Sequence, residues 1–188
     1  MAIQIGRKIE NNFSNPIGLM SDCHRRIKKF LSIIITVLRQ THGGELNVDQ
    51  KKALETALTY FREAAPKHTL DEEQSLFPRV RDCDKDLTNN TIQCLDHLQQ
   101  DHANVIESHQ NMDRLGKRWI SQGQLCSEDC HKLSATLGEL SKIYKRHIYI
   151  EEHEIFPVAS KLLSSADVEA IGREMALRRN IDFDSIYT

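Results

Sequence analysis

The 188 residues carry 25 Lys and Arg against 27 Asp and Glu, a formal charge of -2 with a sequence pI near 6.5. That balance excludes the basic footprint of a nucleic-acid binder or an anionic-membrane binder. Aromatic residues make up 6% of the chain, with 8 Gly and 4 Pro, poor material for a β-sandwich and good material for helices packed as one domain. The opening MAIQIGRKIENN has no apolar block of signal-peptide length, and the richest apolar stretch, FLSIIITVL, stops after nine residues, about half a membrane span. A cytoplasmic setting is expected. The five cysteines, Cys23, Cys83, Cys94, Cys126 and Cys130, then read as reduced thiols with structural roles.

Ser14 to Pro16 reads as a helix start, with proline in the first turn. From there Ile17, Met20, His24, Ile27, Leu31, Ile34 and Leu38 recur at spacings of three and four, one face of a long helix ended by THGGELNV. A second segment runs from Asp49 as its cap through Leu54, Leu58 and Phe61 to His68, Glu72 and Arg81, and Pro66 and Pro78 must bend or break its ladder. A third spans Thr88 to Gln122 with Leu95, Leu98, His102, Val105, His109, Met112 and Trp119 in register. The fourth, Ser127 to Leu162, carries Leu133, Leu137, Leu140, Tyr144, His147, Glu151 and Ile155. A short helix over Ala166 to Arg178 follows Ser164, and the last residues should fray. The expected fold is all-α: an antiparallel up-down-up-down four-helix bundle over residues 15–163, with an N-terminal extension at 1–14 and a C-terminal helix and tail at 164–188.

One motif occurs twice. HTLDEEQSLFP (68–78) and HIYIEEHEIFP (147–157) align residue for residue, and a further histidine precedes each, His24 by 44 residues and His102 by 45. Two helical hairpins therefore each contribute a His and then a His-x-x-x-Glu. A four-residue spacing puts His and Glu on one helical face, and the flanking Leu and Ile turn that face inward. Four imidazoles and two carboxylates in apolar surroundings are too costly to leave unpaired, and metal ions remove the cost. Four N and two O donors exceed a tetrahedral zinc site. They suit two transition ions if the carboxylates bridge, with water, oxo, hydroxo or an exogenous ligand filling the remaining positions. The donors favour iron, with manganese and zinc as less favoured alternatives, and the lack of an interior thiolate argues against copper(I) or an iron-sulfur cluster.

The other polar residues read more plainly. His42, His97, His131 and His153 are assigned to solvent or to outer hydrogen bonds, and His109 lies about 10 Å along the axis from His102, too far to share its ion. Glu73 and Glu152 sit one position off the ligand face, suited to solvent or to hydrogen bonds with ligands. Tyr144 either orients a ligand or packs as an ordinary tyrosine, and Phe77 and Phe156 either plug the bundle or serve as core.

On His24 in DCHRRI, His102 in LQQDHANVI and the doubled motif, the chain resembles the hemerythrin-like, or HHE cation-binding, family over roughly residues 15 to 160. The resemblance implies a non-haem diiron centre, oxo- or hydroxo-bridged, with His24, His68, His102 and His147 as terminal ligands and Glu72 and Glu151 bridging. Oxygen-carrying members have a second histidine in the third helix where this chain has Ile106, and a carboxylate spaced five residues rather than four after its histidine. The pattern here is closer to the bacterial branch linked to iron-sulfur repair and nitric oxide stress, and to iron- or oxygen-sensing relatives. The cysteine-bearing N-terminal region frequent in the repair branch has no counterpart in the fourteen residues ahead of the bundle. The functions implied are binding or reaction with O2, NO or peroxide in iron, oxidative or nitrosative stress; iron-sulfur repair, iron donation or sensing; or a helical interaction module without catalysis. The ligand pattern itself assigns no catalytic acid or base.

Overall fold

In the computed structural model, which describes residues 11–83 and 87–184, helix α1 (Pro16–Thr41) starts behind Asn15, whose side chain accepts the Gly18 N–H. The expectations for residues 1–10 and for the fraying of 185–188 lie outside the described residues. Helix α2 (Val48–Glu63) is capped by Asn47, not by Asp49 as its sequence suggests. Asn47 prevails because Gln50 reciprocates: each side chain bonds the other's backbone N–H, satisfying two donors at once.

The prolines set the breaks. Pro66 sits in the first turn of α3 (Ala65–Asp71), where its missing N–H would have had no partner. Residues 72–76 then widen into a π-helical turn in which Phe77 N–H reaches back five residues to the Glu72 carbonyl, and Pro78 opens α4 (Phe77–Asp82). A proline ring clashes with the carbonyl four residues back in a tight α-helix, and the wider turn relieves that clash. After α5 (Asn89–Gln122, capped by Thr88) and α6 (Ser127–Ile150), the same device recurs as a π-turn over 151–155, followed by α7 (Phe156–Leu162) with Pro157 in its first turn. Ser164 caps α8 (Ser165–Leu177).

Helix α1 packs on α2 and α6, α2 on α5, and α5 on α6, so successive segments are antiparallel neighbours in a closed ring of four. Among the described residues there is no strand, and no helix is long and apolar enough to cross a membrane. The apolar interior forms two separate clusters. One contains Ile27, Leu58, Val105 and Ile148; the other contains Met20, Leu76, Leu98 and Ile155, together with Ile171 and Met175 from α8. Every bundle segment passes from one cluster to the other, and a belt of buried polar side chains lies at the crossing.

Candidate metal centre

Each long segment carries one or two polar residues through that belt. His24 on α1, His68 on α3, His102 on α5 and His147 on α6 converge with Glu72 and Glu151, which open the two π-turns. Both carboxylates are fully buried. Glu72 Oε1 lies 3.1 Å from His68 Nε2 and 3.6 Å from His24 Nε2, while Oε2 lies 3.4 Å from His102 Nε2. Glu151 mirrors the division, with Oε2 3.0 Å from His24 Nε2 and Oε1 3.3 Å from His147 Nε2. Two groups of metal-capable atoms result, one of His24, His68 and Glu72, the other of Glu72, His102, His147 and Glu151.

The residues fit cations. Among the described residues, His24 Nε2 and all four oxygens of Glu72 and Glu151 are buried without a hydrogen-bond partner. Such atoms cost free energy unless something charged sits between them. Protons are the available substitute in the bare protein: burial opposes charge on His24, but Glu151, Glu152 and Glu72 hold its imidazole well above the usual range. Burial likewise opposes charge on His147, and Glu151 and Asp101 carry it up to about 10. His68 goes the other way, pushed down to about 4 by burial that Glu72 only partly offsets. A metal ion entering this belt must displace those protons, so its affinity falls in acid.

Outside the belt, three of the four imidazoles present their other ring nitrogen to a carboxylate. His24 Nδ1 lies 3.0 Å from Glu152 and His102 Nδ1 2.9 Å from Glu73, each pair joining the two hairpins. His147 Nδ1 is 3.5 Å from Asp101, which Arg146 holds at 2.5 Å. Carboxylates in this position fix ring orientation and raise the basicity of the inner nitrogen. Phe156 and Phe77 lie parallel to His24 and His102, with centroids 5.4 and 6.2 Å away.

Asp101 is the residue sequence reasoning missed. Its signal was present, because it falls three residues after Leu98 and four before Val105 on the apolar stripe and is 3% exposed. Cys23 is an interior thiol beside His24, but burial raises its pKa, which disfavours the thiolate, and it belongs to neither group of metal-capable atoms. His42, His97, His131 and His153 stay outside the belt; His153 stacks on Tyr149 at 4.2 Å.

A cavity of about 20 Å³ borders the belt, walled by His24, His68, His102 and His147 and by Ile27, Val105, Ile143, Tyr144 and Ile148. That is room for one water-sized molecule. The Tyr144 hydroxyl lies 2.7 Å from His109 Nε2, so these two residues satisfy each other on the apolar side of the site. Burial lowers the His109 pKa to about 4. The unfolded chain takes up this proton below about pH 6.5 and the folded one does not, so His109 weakens the fold as pH falls from 6.5 toward 4. Between pH 7 and pH 5, metal-free His109→Phe protein is expected to lose about 2 kcal/mol less stability than the parent. Urea unfolding at both pH values checks this, and equal losses would refute it.

A four-helix bundle whose interior carries two imidazole and carboxylate clusters is a cation-binding helical protein by class. The Hemerythrin HHE cation binding domain matches residues 15–169, and the chain belongs to that family. It is also 30% identical over 173 residues to an uncharacterized protein of Haemophilus influenzae (strain ATCC 51907 / DSM 11121 / KW20 / Rd), covering 90% of this chain and 92% of that one.

Proposed function

We propose that the protein holds two iron ions and binds or reacts with a small molecule, O2, NO or peroxide, in a cytoplasmic stress response. The observation that carries the reading is the division of each buried carboxylate between two sets of histidines. One oxygen of Glu72 faces His24 and His68 and the other faces His102; one oxygen of Glu151 faces His24 and the other His147. His24 and His68 would then hold one ion and His102 and His147 the other, with both glutamates bridging. Imidazole with carboxylate suits iron in both common oxidation states, ahead of manganese or zinc.

Bound iron supplies one-electron chemistry and an open position for a small ligand. The chain's own residues do the rest. Glu73, Glu152 and Asp101 hold the imidazoles in orientation, Phe77 and Phe156 close the second apolar cluster over the rings, and the aliphatic wall of the cavity excludes bulk water. A cavity of about 20 Å³ selects for a diatomic-sized ligand over any larger organic substrate. The thiols of Cys23, Cys94, Cys126 and Cys130 are free, in keeping with a reducing compartment.

The test is elemental analysis of protein purified without chelator, followed by optical and Mössbauer spectra of the reduced protein before and after exposure to O2 and to NO. Two irons per chain and altered spectra are expected. Protein without metal, or spectra unmoved by either gas, would overturn the proposal.

A further inference from the structure

Resting on that reading, we infer that the C-terminal helix α8 is a positioning part of the metal centre, through Arg178 and Arg179 at its end. Asp71, the residue before Glu72, is fully buried. Arg178 Nη1 donates to its Oδ1 at 3.0 Å, and Arg179 donates to Oδ1 at 3.2 Å and to Oδ2 at 2.5 Å. Arg178 Nη2 also donates to Ser75 Oγ at 2.7 Å. The two arginines therefore grip the π-turn on both flanks of Glu72, at residues 71 and 75.

The second hairpin shows that packing alone does not call for this grip. At the positions matching Asp71 and Ser75 it has Ile150 and an exposed Glu154, and its π-turn forms without them. An apolar residue thus suffices for the fold at that place, and a buried ion pair is seldom the more stable choice there. Nor does α8 need the arginines for docking. Ile171, Met175 and Ala176 are buried in the second apolar cluster, and Gly172 lets the helix approach so closely that a Cβ there would lie 2.0 Å from the Phe13 carbonyl oxygen. What the arginines add is a fixed direction for the turn that aims Glu72. Both lie beyond residues 15–169 matched by the family.

Removing outer partners of a metal site typically costs about 10- to 100-fold in metal affinity. Iron-loaded R178A/R179A protein should accordingly lose iron to excess chelator at least about tenfold faster than the parent. R179K, which keeps the charge without the planar fork, should fall between and serves if the double variant does not fold. Ile171→Val is the control: it loosens the apolar docking of α8 and leaves both arginines in place. Melting of each metal-free protein by circular dichroism separates global loosening from a change at the site. The inference stands if the arginine variants release iron faster while their metal-free melting matches that of the Ile171→Val control. It falls if their release matches the parent or if the control releases iron as fast. A parent protein that binds no iron overturns the metal reading itself, and this inference with it.

Discussion

If the centre holds the two ions proposed, Glu72→Gln protein is expected to keep its helices and to lose both. The variant preserves the shape of the side chain but puts a neutral amide where two groups of histidines each face one carboxylate oxygen, at 3.1 Å for His68 and 3.4 Å for His102. The amide nitrogen cannot ligate, and one of the two buried negative charges that balance the ions is gone. Metal content measured by elemental analysis should fall from about two ions to fewer than one per chain. His68→Gln is the contrast, since His68 belongs to only one of the two groups, and it should lose about one ion. If Glu72→Gln retained both ions, or if the two variants behaved alike, the division of the carboxylates would have no chemical meaning.

The second large effect is on stability. Among the described residues the belt contains buried polar atoms without hydrogen-bond partners, including all four oxygens of Glu72 and Glu151. Ions bound there satisfy them only in the folded chain, so binding free energy becomes folding free energy. Free metal at a thousand times its dissociation constant adds about 4 kcal/mol per site. At about 2–4 °C per kcal/mol for a chain of this size, iron-loaded protein should melt at least roughly 10 °C above the metal-free form. Acid should erase the difference, because protons on His24 and His147 compete with the metal. Differential scanning calorimetry of both forms at pH 7 and pH 5 tests this, and identical transitions at pH 7 would exclude any coupling between metal and fold.

What could be read in the chain was what a helix determines locally. The apolar stripes located the four segments; Pro66 and Pro78 located the breaks of the second, although not the π-turn that absorbs Pro78. Thr88 and Ser164 marked where the third segment and the last helix begin, but their capping bonds appear only in the structure, and Asp49 was misjudged because the reciprocal bond of Asn47 with Gln50 outweighs an acidic residue in the first turn. His24, His68, Glu72, His102, His147 and Glu151 stood out because spacing and rotation per residue place them on the apolar stripes.

By itself the sequence determined that these six donors face inward, since a rise of about 1.5 Å and a turn of about 100° per residue settle the face of a helix without reference to its neighbours. Only the tertiary structure decided which oxygen meets which histidine, that Glu73 serves His102 and Glu152 serves His24 across the hairpins, and that Asp71 finds its arginine 107 residues away. Partner choice across helices depends on the axial stagger and rotation at which whole faces pack, and spacing within one helix carries no record of either.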